Sequence, residues 1–214
     1  MGREPLPPQP RWRRPVIFFL KRLTAMVRAY AHHRDPRVAA ANVISLLVAS
    51  NQPFYPLYVF WLVSADITAA WFTFLSTPFF LAVPAVARRN DVAGRALLPL
   101  AGIGNSMLSA WLFGTASAVE IFLVPCGIIA LLLFRPWERV VGLALAALAF
   151  GVFLLLHDAY GQPIVRYDAE QYAALARLNL VSAGMLTAFV TILFSGLLAE
   201  AERSADAARR EKAD

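Results

Sequence analysis

The chain has little of what soluble catalysis needs. It holds one cysteine, Cys126, in 214 residues, which excludes an intrachain disulfide and any metal motif built on cysteine pairs. In its apolar surroundings that thiol reads as a small buried hydrophobe. Histidines number three. His32 and His33 have no companion ligands at metal-binding spacing, so they read as surface residues and no metal site is expected. The HExxH, GxSxG, Walker A and CxxC patterns are missing, and the lone "GIG" at 102–104 reads as a packing motif. Charge is scarce, at 16% of residues against about 25% in soluble domains. Long apolar runs contain no carboxylates in their interiors, which disfavours a proton or ion relay through them. The expectation is a protein that is not an enzyme and carries no cofactor.

What is abundant is hydrophobicity. Hydrophobic residues make up 59% of the chain, with a mean hydropathy of +0.57, which marks a membrane protein. Uncharged runs occupy 39–63, 67–87, 96–113, 121–134, 140–156 and 178–199. A helix needs about 20 residues to cross a bilayer, so an all-α polytopic fold with six transmembrane helices is expected. The run 121–134 is short for this. "SAVE" at 117–120 offers an extension, as a capping box with Ser117 as N-cap and Glu120 at the third helical position.

Orientation follows from the cations, because short cytoplasmic loops carry the excess of Lys and Arg. Of the 20, nine precede the first run, three follow the second (Arg88, Arg89, Arg95), two follow the fourth (Arg135, Arg139) and four lie in the tail. Arg166 and Arg177 alone fall on the other side. Both termini are therefore expected in the cytoplasm, with the protein multi-pass in a cytoplasmic (inner) membrane. The net charge of +6 belongs to this asymmetry and gives no argument for nucleic acid. The start of the chain is too basic, and its run "VIFFL" too short, for a cleaved signal peptide.

Three segments are expected: a basic stretch 1–37, a transmembrane domain 38–199 and a helical tail 200–214. In the first, Val16, Phe19, Leu20, Leu23, Met26, Val27 and Tyr30 recur at helical spacing behind Pro15, a first-turn residue. Arg13, Arg14, Lys21, Arg22 and Arg28 supply the cations of an amphipathic helix suited to lipid headgroups.

Prolines interrupt the spans at Pro53, Pro56, Pro78, Pro84, Pro99 and Pro125, and a kinked bundle contains cavities. Asn51, Gln52, Tyr55 and Asn105 fall near mid-span. Two readings stay open for them: hydrogen-bonded glue between helices, or the lining of a small-molecule pocket. On the outer face Glu120, His157 and Asp158 are candidates for a proton, a cation or a small polar ligand. "DAEQ" at 168–171 repeats the capping-box pattern.

No proline follows Asp168, so a continuous helix from 168 to 214 is expected, longer than the bilayer at both ends. Gly184, Ala188, Thr191 and Ser195 form a stripe of small residues on it, which lets a second helix approach closely. The stripe runs on through Leu198, Ala201, Ala205 and Ala208, with Asp206 and Arg210 as an i, i+4 pair, in the manner of a short parallel coiled coil.

Five features recur in one layout: the basic segment before the first run, "ARRND" at 87–91, the turn "GTASAVEIFLVPCG", the turn "FRPWER" and the exit "GLLAEAER". With these the chain resembles the six-helix membrane input region of bacterial signalling proteins such as membrane-bound class III adenylate cyclases, sensor histidine kinases and diguanylate cyclases. The resemblance implies a receptor-like homodimer that passes a signal through its last helix to a cytoplasmic effector, fused to the chain or associated with it. Rival readings are a small transporter or channel subunit, with spans one and three lining a pathway, and a membrane scaffold that senses nothing.

Overall fold

The structure is a computed structural model that describes residues 13–211, with side chains described from residue 21 onward. The described residues form nine α-helices and five 3₁₀ turns, with no strands among them. They fall into two compact units divided between His32 and His33. In the first unit a single helix, α1, spans Arg13–Ala31, with Pro15 in its first turn. Leu23, Met26 and Val27 on it are exposed, as are Lys21, Arg22 and Arg28. Arg13 and Arg14 belong to this helix by backbone, while their side chains lie outside the described residues.

The second unit is a helical bundle. Asp35 starts α2 (Pro36–Asn51): its Oδ1 accepts from the Arg37 N–H at 2.9 Å, ahead of a proline in the first turn. Pro53 cannot donate to the ladder, so the helix tightens to a 3₁₀ turn at Gln52–Phe54 before resuming as α3 (Tyr55–Leu62). Pro78 has the same effect on the next crossing, where α4 (Thr68–Phe72) passes through a 3₁₀ turn at Thr73–Ser76 into α5 (Thr77–Ala87). Pro84 and Pro99 are carried inside α5 and inside the uninterrupted α6 (Asp91–Phe113). Two more 3₁₀ turns lead into α7 (Leu123–Leu133), and a further one, Pro136–Glu138, into α8 (Arg139–Leu156). The last helix, α9 (Ala169–Glu211), runs 43 residues without a break.

Among the described residues, four helical stretches are long and apolar enough to cross a membrane: Thr68–Ala87, Asp91–Phe113, Pro136–Leu156 and Ala169–Glu211. The first expected span is broken at Gln52–Phe54 into pieces of 16 and 8 residues, and Val119–Leu133 is shorter than a full crossing. Trp61, Trp71, Trp111 and Trp137 are all exposed, as are many leucines and phenylalanines, the surface expected of a bundle solvated by lipid.

The bundle has two chemically distinct ends. At the arginine-rich end the start of α2, the α5–α6 turn and the α7–α8 turn converge. Arg95, 2% exposed, reaches out of α6 to both carboxylate oxygens of Glu138 at 2.7 and 2.8 Å and to the Leu133 carbonyl at 2.9 Å. Arg135 pairs with Asp35 at 2.7 Å, and Arg37 donates to the Leu132 and Phe134 carbonyls at 2.9 and 2.7 Å. These bonds satisfy the carbonyls that the end of α7 leaves without helical partners. His33, expected at the surface, is half-buried and lies 3.5 Å from Asp91. Between the ends, Ala41, Ile44, Phe80, Val83, Leu98, Ala130, Leu133 and Val190 fill the core. Gly94 lets α6 lie against α5: a Cβ there would come within 2.5 Å of the Ala87 backbone.

The capping box expected at 117–120 is overturned. Ser117 is not the cap of a helix, because Ala118 takes a left-handed conformation at φ 54° and the chain makes two successive 3₁₀ turns, Thr115–Ser117 and Val119–Phe122. The Ser117 hydroxyl bends back to the Gly114 carbonyl at 2.6 Å, and Glu120 is free to reach elsewhere. The second capping box does form: the Gln171 N–H donates to Asp168 Oδ1 at 2.8 Å, and Gln171 Oε1 accepts from the Asp168 N–H at 3.0 Å.

Candidate functional site

The acidic end is where the functional candidates gather. The Glu120 side chain, 5% exposed, points from its 3₁₀ turn to the end of α8, where Oε2 meets His157 Nδ1 at 2.5 Å. Its second oxygen, Oε1, is buried without a hydrogen-bond partner among the described residues, and so is the hydroxyl of Tyr160. Burial, and then the nearby Glu120 carboxylate, raise the Tyr160 phenol above its ordinary range. A buried carboxylate oxygen and a buried phenolic hydroxyl beside an imidazole are groups that can take up a proton, a water or a small polar guest. His157 is 45% exposed and links the group to the outside.

A second set of contacts fastens this corner to the exit helix. Asn179, fully buried on α9, donates from Nδ2 to the Ser117 carbonyl at 2.9 Å and accepts from the Tyr55 hydroxyl at 3.2 Å. One amide thus joins α3, the 3₁₀ turn just before the one that carries Glu120, and α9. Around it Val59, Leu112, Phe113, Tyr167 and Leu175 make a compact apolar cluster. The Tyr167 hydroxyl donates to the Asp66 carbonyl at 3.2 Å, and burial pushes its phenol up to about 12, so it stays a neutral donor. The Asp66 carboxyl is held below its usual value by the Thr68 N–H.

Deeper in the bundle, the mid-span residues form a separate network. The Gln52 amide donates to the Ser76 hydroxyl at 2.5 Å and accepts from Thr77, while Ser76 donates to Asn105 Oδ1 at 2.7 Å. Three consecutive segments are tied together by these bonds, each worth about 0.6 kcal/mol in a bilayer. The polar atoms of Gln52 are spent on protein.

The structure therefore divides the seven ligand candidates. Gln52 and Asn105 share one network, Tyr55 belongs to the Asn179 clamp, and Glu120 with His157 forms a pair at the acidic end. Asn51 and Asp158 are exposed and join none of these. Asn179 and Tyr160 were missed by sequence reasoning. For Asn179 a signal existed, since it is the lone side-chain amide of the apolar run 178–199 and needs a partner wherever it is buried. Tyr160 gave none, because only the fold brings it to Glu120.

Replacing Asn179 by leucine is expected to remove two hydrogen bonds and strand the Ser117 carbonyl, lowering stability by about 2 kcal/mol. Tyr55→Phe removes one of those bonds and is expected to cost about 0.6 kcal/mol. Thermal unfolding of the full chain in nanodiscs checks the order; equal losses for the two would show that Asn179 is not the shared node.

On α9, Gly184, Ala188, Thr191, Ser195 and Leu198 are all exposed, facing away from the bundle. From Leu198 to Glu211 every residue is exposed, Ala201, Ala205 and Ala208 included. In this tail Asp206 pairs with Arg209 at 3.7 Å and not with Arg210, because the i, i+3 rotamer is the one adopted; at such exposure the pair adds little.

A family model, MASE7, described as a membrane-associated sensor domain, matches residues 27–211. No curated protein and no solved structure matches the chain.

Proposed function

The chain belongs to the MASE7 family of membrane-associated sensor domains, and from that premise we propose that it is the input module of a bacterial inner-membrane signalling system, working as a homodimer. It crosses the bilayer six times, with both termini and the arginine-rich end in the cytoplasm and the Glu120–His157 corner outside. The module itself catalyses nothing. Its output is the position of the last helix, delivered to a cyclase- or kinase-type effector fused or docked at the carboxyl terminus.

The observation that carries this reading is the shape of α9. A helix of 43 residues spans about 64 Å, while the hydrocarbon needs about 30 Å. One end is capped by the Asp168–Gln171 box and clamped to the bundle by Asn179, and the other continues as fully exposed helix. A ligand, lipid or membrane state that binds one arrangement of the outer corner better than another shifts the clamp, and only that difference in affinity does work. Because the helix is unbroken, a small rotation or shift at Asn179 reaches the tail. The α1 cations Lys21, Arg22 and Arg28 anchor the amino-terminal helix at headgroups.

Single cysteines at Ala201, Ala205 and Ala208, in a Cys126→Ser background, are expected to crosslink between protomers in native membranes, whereas cysteines at Glu202 and Asp206 on other faces are not. Uniform absence of crosslinks, together with substrate flux in vesicles that survives truncation after Ala199, would replace this reading by the transporter.

A further inference from the structure

At the arginine-rich end, three guanidiniums that no part of the sensing corner uses line one cavity of about 400 Å³: Arg37, Arg135 and Arg139. They come from the start of α2, the α7–α8 turn and the start of α8. Apolar neighbours complete the wall, among them Leu131 and Leu143, which are 52% and 56% exposed and face outward from the bundle. A cavity with a cationic head and an apolar, outward-facing flank has the two-part chemistry of a phospholipid.

The charge balance narrows the choice. Asp35 is the carboxylate beside these arginines, and it is already engaged by Arg135 and by the Arg37 N–H. Glu138, the other acid nearby, is held by both arms of the Arg95 fork. The Arg37 guanidinium has only carbonyl partners, and Arg139, exposed, makes no hydrogen bond or ion pair among the described residues. Two full positive charges are left without a counter-charge at one cavity. Guanidinium forks match the oxygens of a phosphodiester. A choline headgroup would bring a further cation to an already cationic site, whereas a headgroup of net negative charge neutralises it.

We infer that this groove binds the phosphate-bearing headgroup of an anionic glycerophospholipid, with an acyl chain laid along Leu131 and Leu143. Its position joins α2, α7 and α8, so an occupied groove ties together the end of the bundle through which α9 leaves. The inference rests on the membrane placement proposed above and not on the sensing corner, so it stands or falls independently of what His157 and Glu120 detect.

The test uses the full chain purified in detergent and challenged with dioleoyl-phosphatidylglycerol or dioleoyl-phosphatidylcholine at equal concentration, with retained lipid counted by native mass spectrometry. Wild type is expected to keep more phosphatidylglycerol than phosphatidylcholine. Arg139→Gln, which breaks no bond within the protein, is expected to lower phosphatidylglycerol retention about fivefold, the factor for one cation near an anionic headgroup. Arg203→Gln, on the exposed tail, is the control and is expected to leave it unchanged. Equal retention of the two lipids by wild type, or equal losses for Arg139→Gln and Arg203→Gln, would overturn the inference. Displacement of the bound lipid by millimolar inorganic phosphate would also overturn it, because the groove would then be a site for free anions.

Discussion

Arg95→Met is expected to lower the stability of the full chain in nanodiscs by about 3 kcal/mol, the lower end of the range for breaking a buried ion pair. In a chain of 214 residues this corresponds to roughly 6–12 °C in melting temperature. The size follows from what the guanidinium does. It is the largest of the fully buried side chains among the described residues, its two terminal nitrogens close a fork on Glu138, and one of them also holds the Leu133 carbonyl. Its carbon end lies 5.2 Å from the Phe134 ring centre. Methionine fills much of the volume but leaves Glu138 without its partner. Glu138 is 17% exposed, so water relieves part of that loss, and the lower end of the range applies. Lysine at the same position keeps the charge and loses the fork, so Arg95→Lys is expected to recover only part of the stability. The decisive measurement is the double-mutant cycle. Arg95→Met with Glu138→Gln is expected to cost at least 1.5 kcal/mol less than the two single losses added, within the usual coupling range of about 0.5–3 kcal/mol. Additivity to within about 0.5 kcal/mol would mean that the pair is not coupled.

This ion pair also marks where sequence reading stops. The apolar runs, the basic amino-terminal helix and the unbroken last helix were legible, because each depends on composition and spacing within one segment. Arg95 was visible only as one more cation for the orientation count, and Glu138 only as part of "FRPWER". Their pairing is a contact across 43 residues, and no periodicity encodes it. The same limit explains Glu120. "SAVE" has the residue types of a capping box, but Ala118 turns left-handed and the carboxylate is drawn to His157, 37 residues away. Local pattern loses there to a tertiary partner, since a buried carboxylate gains more from an imidazole than from a backbone N–H it would share with water. Where no tertiary partner competes, as at Asp168 and Gln171 on the exposed start of α9, the local pattern holds.

The exit helix supplies the prediction with the largest expected effect on function. Inserting one alanine after Ala199 turns everything beyond it by about 100° relative to the bundle. The membrane stripe of Gly184, Ala188, Thr191 and Ser195 and the tail face of Ala201, Ala205 and Ala208 then point in different directions, and in a rigid helix pair they cannot both meet their counterparts. The membrane stripe is expected to win. Its small side chains allow close approach along several turns, whereas alanines over barely two heptads bury little area in the tail. Crosslinking at Ala188 should therefore persist, while crosslinking at the tail alanines falls at least tenfold and any attached effector loses its response. Inserting seven residues instead of one restores the heptad phase and should bring both back. If tail crosslinks survive the single insertion while those at Ala188 disappear, the tail dimerises on its own and the transmembrane helix follows it. If both survive, the helix is bending or unwinding near Ala199, and a rotation at Asn179 cannot reach the effector through it.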